Sequence, residues 1–336
     1  MAAPSLPIIS LAPFLRPDAT RESKLHAATL LHEACSTHGF FYLSHHGIPS
    51  SICTSVLDHA RRFFLSSPEA SKSSIARRDP EAGGDGARGY QKLGENLTKN
   101  SSDYHEAIDF YRPVPLEPFS SGGWKLLRGP NLWPEDADNS GFKQAFEEYW
   151  TKLLELGDKV MIAMAWALGY EDDEEVILRH TKEAFWVARV IGYPPLPRGA
   201  EGKSCGEHTD YGCTTFLLAD QTKGALQVQA SDGKWLDADP VDGAMVVNIG
   251  DMMQVWTNGL WKSTVHRVVH KGENYRVSVP FFYEPDWEAR VKPLERCVKA
   301  SGGERKFGET VYKEHIMGKV AGNFYSGGGD MGAAGN

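Results

Sequence analysis

The stretch "GEHTDYGCTTF", Gly206 to Phe216, sets a histidine and an aspartate two positions apart among strand-forming residues. Side chains at i and i+2 of a strand stand on one face, so His208 and Asp210 can address a single ion without bending the backbone. They supply two ligands, and a third must come from elsewhere in the sheet. The best-placed downstream histidine is His266, in "STVHRVV" (Ser263 to Val269). Two imidazoles and one carboxylate make a facial triad that leaves positions open on Fe(II).

Ten residues past His266, "YRVSVPFFYEP" repeats the spacing of two with Arg276 and Ser278. On an inner sheet face the guanidinium fork needs an anion, and a carboxylate held by two parallel N–H bonds plus a hydroxyl is its natural guest. The opposite strand phase would send Arg276, Ser278 and Phe282 to solvent and Val277, Val279 and Phe281 inward. Alternation alone leaves both phases open.

The chain as a whole narrows the possibilities. Its 336 residues, 41% hydrophobic and 24% charged, match a globular protein with one large core or two domains. A net charge of -8 argues against a nucleic-acid or anionic-membrane partner, since both demand a basic face. The N-terminal "MAAPSLPIISLAPFLRP" lacks the basic start and unbroken apolar core of a secretory signal, and no apolar run reaches the length of a membrane span. A cytoplasmic location is the expectation. The five scattered cysteines form no CxxC pair and suggest no disulfide framework.

Residues 1–180 read as a mainly helical N-terminal region, with apolar helical spacing in "ESKLHAATLLHEACSTHGF", in "VLDHARRFFLSS" and most clearly from Gly141 to Gly169. The polar stretch 66–102 reads as a mobile surface loop. Residues 181–300 switch to short β-branched or aromatic strands, with Asn258-Gly259 read as a hairpin turn between "MMQVWT" and "LWKST". Such strands without intervening helices imply an antiparallel sandwich or jelly roll. Residues 301–336 should form a helix, about Glu309 to Lys319, and a flexible Gly-rich tail after Tyr325. Two motifs fail on context. Gly84 to Gly89 satisfies GxGxxG but follows no buried strand, and His32-Glu33 and His105-Glu106 lack the second histidine of HExxH.

HxD, a distant His and RxS ten residues on, in this order, resemble the 2-oxoglutarate and Fe(II)-dependent dioxygenases of the isopenicillin N synthase-like branch. The likeness spans most of the chain, through "LPIISLAPF", "HGFFYLSHHGIP", "RGYQKLGEN", "GPNLWP", "YPP", "VVNIGDMMQVWTNG" and "YRVSVPFFYEP". It implies a mixed α and β fold, a double-stranded β-helix (jelly roll) core wrapped by N-terminal helices. It further implies His208, Asp210 and His266 as iron ligands, and Arg276, Ser278 and Tyr193 as the holders of 2-oxoglutarate. O2 is then the co-reactant, ascorbate a supporting reductant, and succinate and CO2 the by-products. Many plant relatives carry asparagine where Ile191 stands. Asn248, Gly250 and Asp251 match a landmark read as structural, as are His45 and His46.

The resemblance places Phe110 and Arg112 near the pocket mouth, and strand parity adds Arg189, Phe282 and Glu284 as substrate contacts. Aromatic and cationic groups together suit a flat small-molecule metabolite such as a flavanone, hydroxylated or desaturated. The alternative is an oxidase of the isopenicillin N synthase or aminocyclopropanecarboxylate oxidase type, which dispenses with 2-oxoglutarate. Oligomeric state is left open.

Overall fold

The eleven-residue strand Arg276–Asp286 organises the molecule. It pairs antiparallel with Ala184–Tyr193 on one side and Thr214–Ala219 on the other. Outward from Thr214–Ala219 come Ala244–Ile249, Phe40–Ser44 and the parallel edge strand Ile8–Ser10; outward from Ala184–Tyr193 come Glu106–Tyr111 and Gly89–Gln91. A second sheet of four strands runs Trp235–Asp237, Leu226–Gln229, His266–Val268 and Cys205–His208. The computed structural model describes residues 6–79, 82–98, 101–113, 127, 129–197 and 203–324.

Alternation along Arg276–Asp286 decides what each face does. Val277, Val279, Phe281 and Tyr283 join the large core beneath the helices. Arg276, Ser278, Pro280 and Phe282 face a cavity between the sheets. A smaller apolar cluster including Phe40, Ile191, Leu226, Val246 and Val268 fills the rest of that space. Helices Arg21–Thr37, Ser50–Ser66 and Phe142–Ala167 cover the outer side, the last through the buried stripe Phe142, Phe146, Leu153, Leu156 and Val160. Two facing antiparallel sheets wrapped by helices make a mixed α and β protein with a double-stranded β-helix core. Among the described residues, no helix is long and apolar enough to cross a membrane.

Three local expectations change. Asn258-Gly259 makes no hairpin: both residues have positive φ, 52° and 79°, but they end the helix Asp251–Trp256, where the Gly259 N–H bonds the Gln254 carbonyl at 2.9 Å. A left-handed pair serves a helix C-terminus as well as a hairpin, and the buried Met252, Met253, Val255 and Trp256 favour the helix. Stretch 66–102 is structured where described, because Lys72 is buried on the Phe64 carbonyl and Glu106, and Arg88 on Asp85. Its glycines bring the chain close to itself: a Cβ on Gly89, whose φ is 114°, would lie 2.5 Å from the Ile75 carbonyl oxygen. Four strands of the large sheet come from the region read as mainly helical. The C-terminal helix runs Tyr312–Phe324, and the tail after Tyr325 lies outside the described residues.

Candidate functional site

His208 and His266 stand opposite each other on paired antiparallel strands, with ring centroids 4.2 Å apart. Their Nε2 atoms lie 3.8 and 3.7 Å from Asp210 Oδ1. The backbone sets both tautomers. His208 Nδ1 lies 2.8 Å from the Gly206 carbonyl and His266 Nδ1 lies 3.2 Å from the Thr264 carbonyl. A carbonyl only accepts, so each Nδ1 carries a proton and each Nε2 is the nitrogen turned toward Asp210. At His208 burial is outweighed by Cys205 and Asp210, which push the ring up to about 10, so in metal-free protein it is the protonated partner of Asp210. Burial, followed by the neighbouring His208, pushes His266 down to about 4 and keeps that ring neutral.

Asp210 is buried and oriented by two donors. Asn248 Nδ2 donates to Oδ2 at 2.6 Å, and the Thr215 hydroxyl donates to the same oxygen. Oδ1 is left facing the imidazoles. The turn carrying Asp210 is fixed from outside as well, by Asp251 N–H on the Asp210 carbonyl at 2.9 Å and Met252 N–H on the Gly212 carbonyl at 3.0 Å. Gly250 has no room for a side chain there, since a Cβ would lie 2.5 Å from the Gly212 oxygen. Sequence reasoning missed Asn248 and Thr215 as contacts. The available signals were a lone amide ending the apolar run "AMVVN" and a threonine five residues after Asp210. The three donor groups lie within 4.8 Å of one another, and among the described residues no lysine or arginine pairs with Asp210. A buried carboxylate and two imidazole nitrogens converging on one point suit a divalent metal.

Deeper in the cavity, Arg276 is buried with its guanidinium carbon 4.8 Å from the Tyr193 ring centre and Nη1 3.5 Å from Ser278 Oγ. Arg276 and Tyr193 are direct cross-strand partners. The Nε of Arg276 has no hydrogen-bond partner, and no carboxylate lies within ion-pair distance among the described residues. Ile191, Leu217, Leu226 and Val268 supply apolar wall.

The five expected substrate contacts divide. Arg189 and Phe282 line the cavity. Arg189 is not a free cation: its Nε donates to Asp109 and its Nη2 to Asn96, both at 2.6 Å. Phe110 points into the helix-facing core, 4.6 Å from Trp133 and 5.1 Å from Trp150 between ring centres. The alternation that turns Asp109 toward Arg189 turns Phe110 away. Arg112 pairs with the Glu183 side chain and the carbonyls of Glu183 and Ala184. Glu284 shares the strand face of Arg276 but is buried beneath Gly212, on which a Cβ would overlap its carboxyl, and burial pushes it up to about 8. For Phe110, Arg112 and Glu284 the expectation of a cavity contact is therefore corrected.

Residues 6–136 match the family model described as non-haem dioxygenase in morphine synthesis N-terminal, and residues 175–285 match that of the 2OG-Fe(II) oxygenase superfamily. The chain is 40% identical to a homoarginine-6-hydroxylase of Glycine max, over 95% of this chain and 97% of that protein. It is 41% identical to a homoarginine-6-hydroxylase of Oryza sativa subsp. japonica, over 90% and 91%. Among solved structures it resembles a 2OG-Fe(II) oxygenase family protein from Caulobacter crescentus, with a TM-score of 0.78 and 27% identity over 95% of this chain and 99% of that one. The jelly roll, its His-Asp-His cluster and near full-length likeness to named hydroxylases together make this chain a member of the 2OG-Fe(II) oxygenase superfamily, a 2-oxoglutarate-dependent dioxygenase.

Proposed function

We propose that His208, Asp210 and His266 hold Fe(II), and that Arg276, Ser278 and Tyr193 receive the distal carboxylate of 2-oxoglutarate. Arg276 carries this reading. A guanidinium 2% exposed, with an unpartnered Nε and no carboxylate in reach among the described residues, is an uncompensated buried charge. A bidentate carboxylate removes that cost, and Ser278 adds a hydroxyl on the same face. Fe(II) bound at the triad supplies the O2 chemistry by which a substrate C–H bond, 2-oxoglutarate and O2 become an alcohol, succinate and CO2. The protein's own part is positional. The Gly206 and Thr264 carbonyls fix the imidazole tautomers, Asn248 and Thr215 fix Asp210, and Phe40, edge-on to His266 with ring centres 5.1 Å apart, shields that ring.

For the substrate, we infer a free basic amino acid of the homoarginine kind. The relatives so named support this over almost the whole chain. Arg189 and Asp210 both line the cavity, so a charged amino acid has polar groups of both signs on its wall. An aromatic metabolite such as a flavanone keeps Phe282 and Phe40 in its favour, but loses Phe110 and Arg112. The test is succinate release under Fe(II), ascorbate and O2, with homoarginine, arginine, lysine and a flavanone compared. Homoarginine should stimulate release in step with its own hydroxylation. Stimulation by the flavanone with none by the amino acids would reverse the substrate assignment.

A further inference from the structure

Beside His208, and sharing its strand through Cys205, lies a second cluster of metal-ligating groups. Asp103, His105 and the Cys205 thiol bring their donor atoms within 4.8 Å of one another. His105 is fully buried, and its Nδ1 lies 2.6 Å from the Ser204 carbonyl. The proton therefore sits on Nδ1, and Nε2 carries a lone pair. That Nε2 is buried with no hydrogen-bond partner. Burial, followed by the charge of Arg189, pushes the ring down to about 3, so it stays neutral.

Asp103 is held as firmly. Its Oδ1 accepts the Gly206 N–H at 2.8 Å and its Oδ2 accepts the Thr98 hydroxyl at 2.7 Å. It is buried, and among the described residues no lysine or arginine lies within ion-pair distance of it. These contacts tie neighbouring strands together, which explains one nitrogen of His105 and one lone pair on each Asp103 oxygen. They leave His105 Nε2 without a partner, and the free thiol of Cys205 has only a long contact with His208 Nδ1, 3.9 Å. Three ligand groups converge, and among the described residues neither Asp103 nor His105 is ion-paired to a lysine or arginine.

We propose that Asp103, His105 and Cys205 form a second metal site, separate from the His208–Asp210–His266 triad and suited to Zn(II). The thiolate selects a borderline-soft ion over Mg2+, Ca2+ or Mn2+, and one nitrogen, one oxygen and one sulfur leave the fourth tetrahedral position for water. Binding forms a metal–sulfur bond and releases the thiol proton to solvent, with no change of oxidation state. The two sites are neighbours. Cys205 also lines the triad cavity, and its sulfur lies 3.9 Å from His208 Nδ1. Metal at the second site therefore changes the charge beside His208.

Co(II) is the probe, because a thiolate-to-cobalt charge-transfer band in the near ultraviolet reports sulfur ligation and the triad contains no sulfur. The full chain is titrated with Co(II) and then with Zn(II). Wild-type protein should develop a saturable band that Zn(II) displaces. Asp210→Ala should keep the band, which separates this site from the proposed iron site. Cys205→Ser should lose it, and His105→Gln should weaken cobalt binding by more than about 100-fold, beyond the usual loss of a supporting contact. If Cys205→Ser fails to give wild-type circular dichroism, His105→Gln carries the test. Absence of the band in wild type, or a band undiminished in folded Cys205→Ser or in His105→Gln, overturns the proposal.

Discussion

Asn248 donates its amide to Asp210 at 2.6 Å from a strand 38 residues further along the chain, and so fixes which carboxylate oxygen faces the two imidazoles. A contact that orients a metal ligand is worth about 10- to 100-fold in metal affinity. Asn248→Ala should therefore weaken Fe(II) binding by about that factor with the fold retained. Asn248→Asp should also weaken it, because two carboxylates in contact resist ionising together and the proton they share competes with the metal. Anaerobic Fe(II) titration checks both, and wild-type affinity in Asn248→Ala would reduce the contact to packing.

Arg276→Lys replaces a fork by a point charge. Losing a charged hydrogen-bond set costs about 1.5–3 kcal/mol, or roughly one to two decades in the KM for 2-oxoglutarate. Substrate KM at saturating 2-oxoglutarate should change little. Equal effects on both constants would mean that Arg276 acts through the cavity as a whole.

Phe110 and Phe282 should separate cleanly. Phe110→Ala opens the aromatic core around Trp133 and Trp150, and a buried Phe→Ala costs about 3–5 kcal/mol of stability. Phe282→Ala lies on the cavity wall and should instead uncouple succinate release from product formation. Thermal unfolding and the succinate-to-product ratio distinguish them, and the reverse pattern would restore Phe110 to the substrate site.

Glu284 gives a pH signature. In metal-free protein burial holds it protonated up to about 8. In the unfolded chain it ionises near about 4.3. Between these values the unfolded state binds fewer protons, so this group's contribution to stability falls as pH rises through the interval and levels off above it. Glu284→Gln removes the titration, so the variant's Tm relative to wild type should climb from about pH 5 to about pH 8. A pH-independent difference would place an ionised carboxylate in the folded state.

Much of the site was legible because its chemistry repeats every two residues on strands. His208 with Asp210 and Arg276 with Ser278 share faces by parity, and that parity also put Arg189, Ile191 and Tyr193 on one wall. Parity does not say which face is inward, and the family resemblance that set Phe110 near the pocket mouth did not fix the phase of its strand, in which Asp109 faces Arg189 instead. Nor does it reveal contacts made across sheet register. Asn248 and Thr215 are direct cross-strand partners, and both reach Asp210 from there. Asn258-Gly259 misled because positive φ marks a reversal without naming the element it ends.

The most direct test of the central claim is an anaerobic titration of the Fe(II)-loaded protein with 2-oxoglutarate, following the visible iron-to-keto-acid charge-transfer band. Wild-type protein should show a saturable band, Asp210→Ala should show none, and Arg276→Lys should reach the same amplitude only at about 10- to 100-fold higher 2-oxoglutarate. A band of wild-type amplitude and midpoint in Asp210→Ala would contradict the assignment of the iron and its cosubstrate to this site.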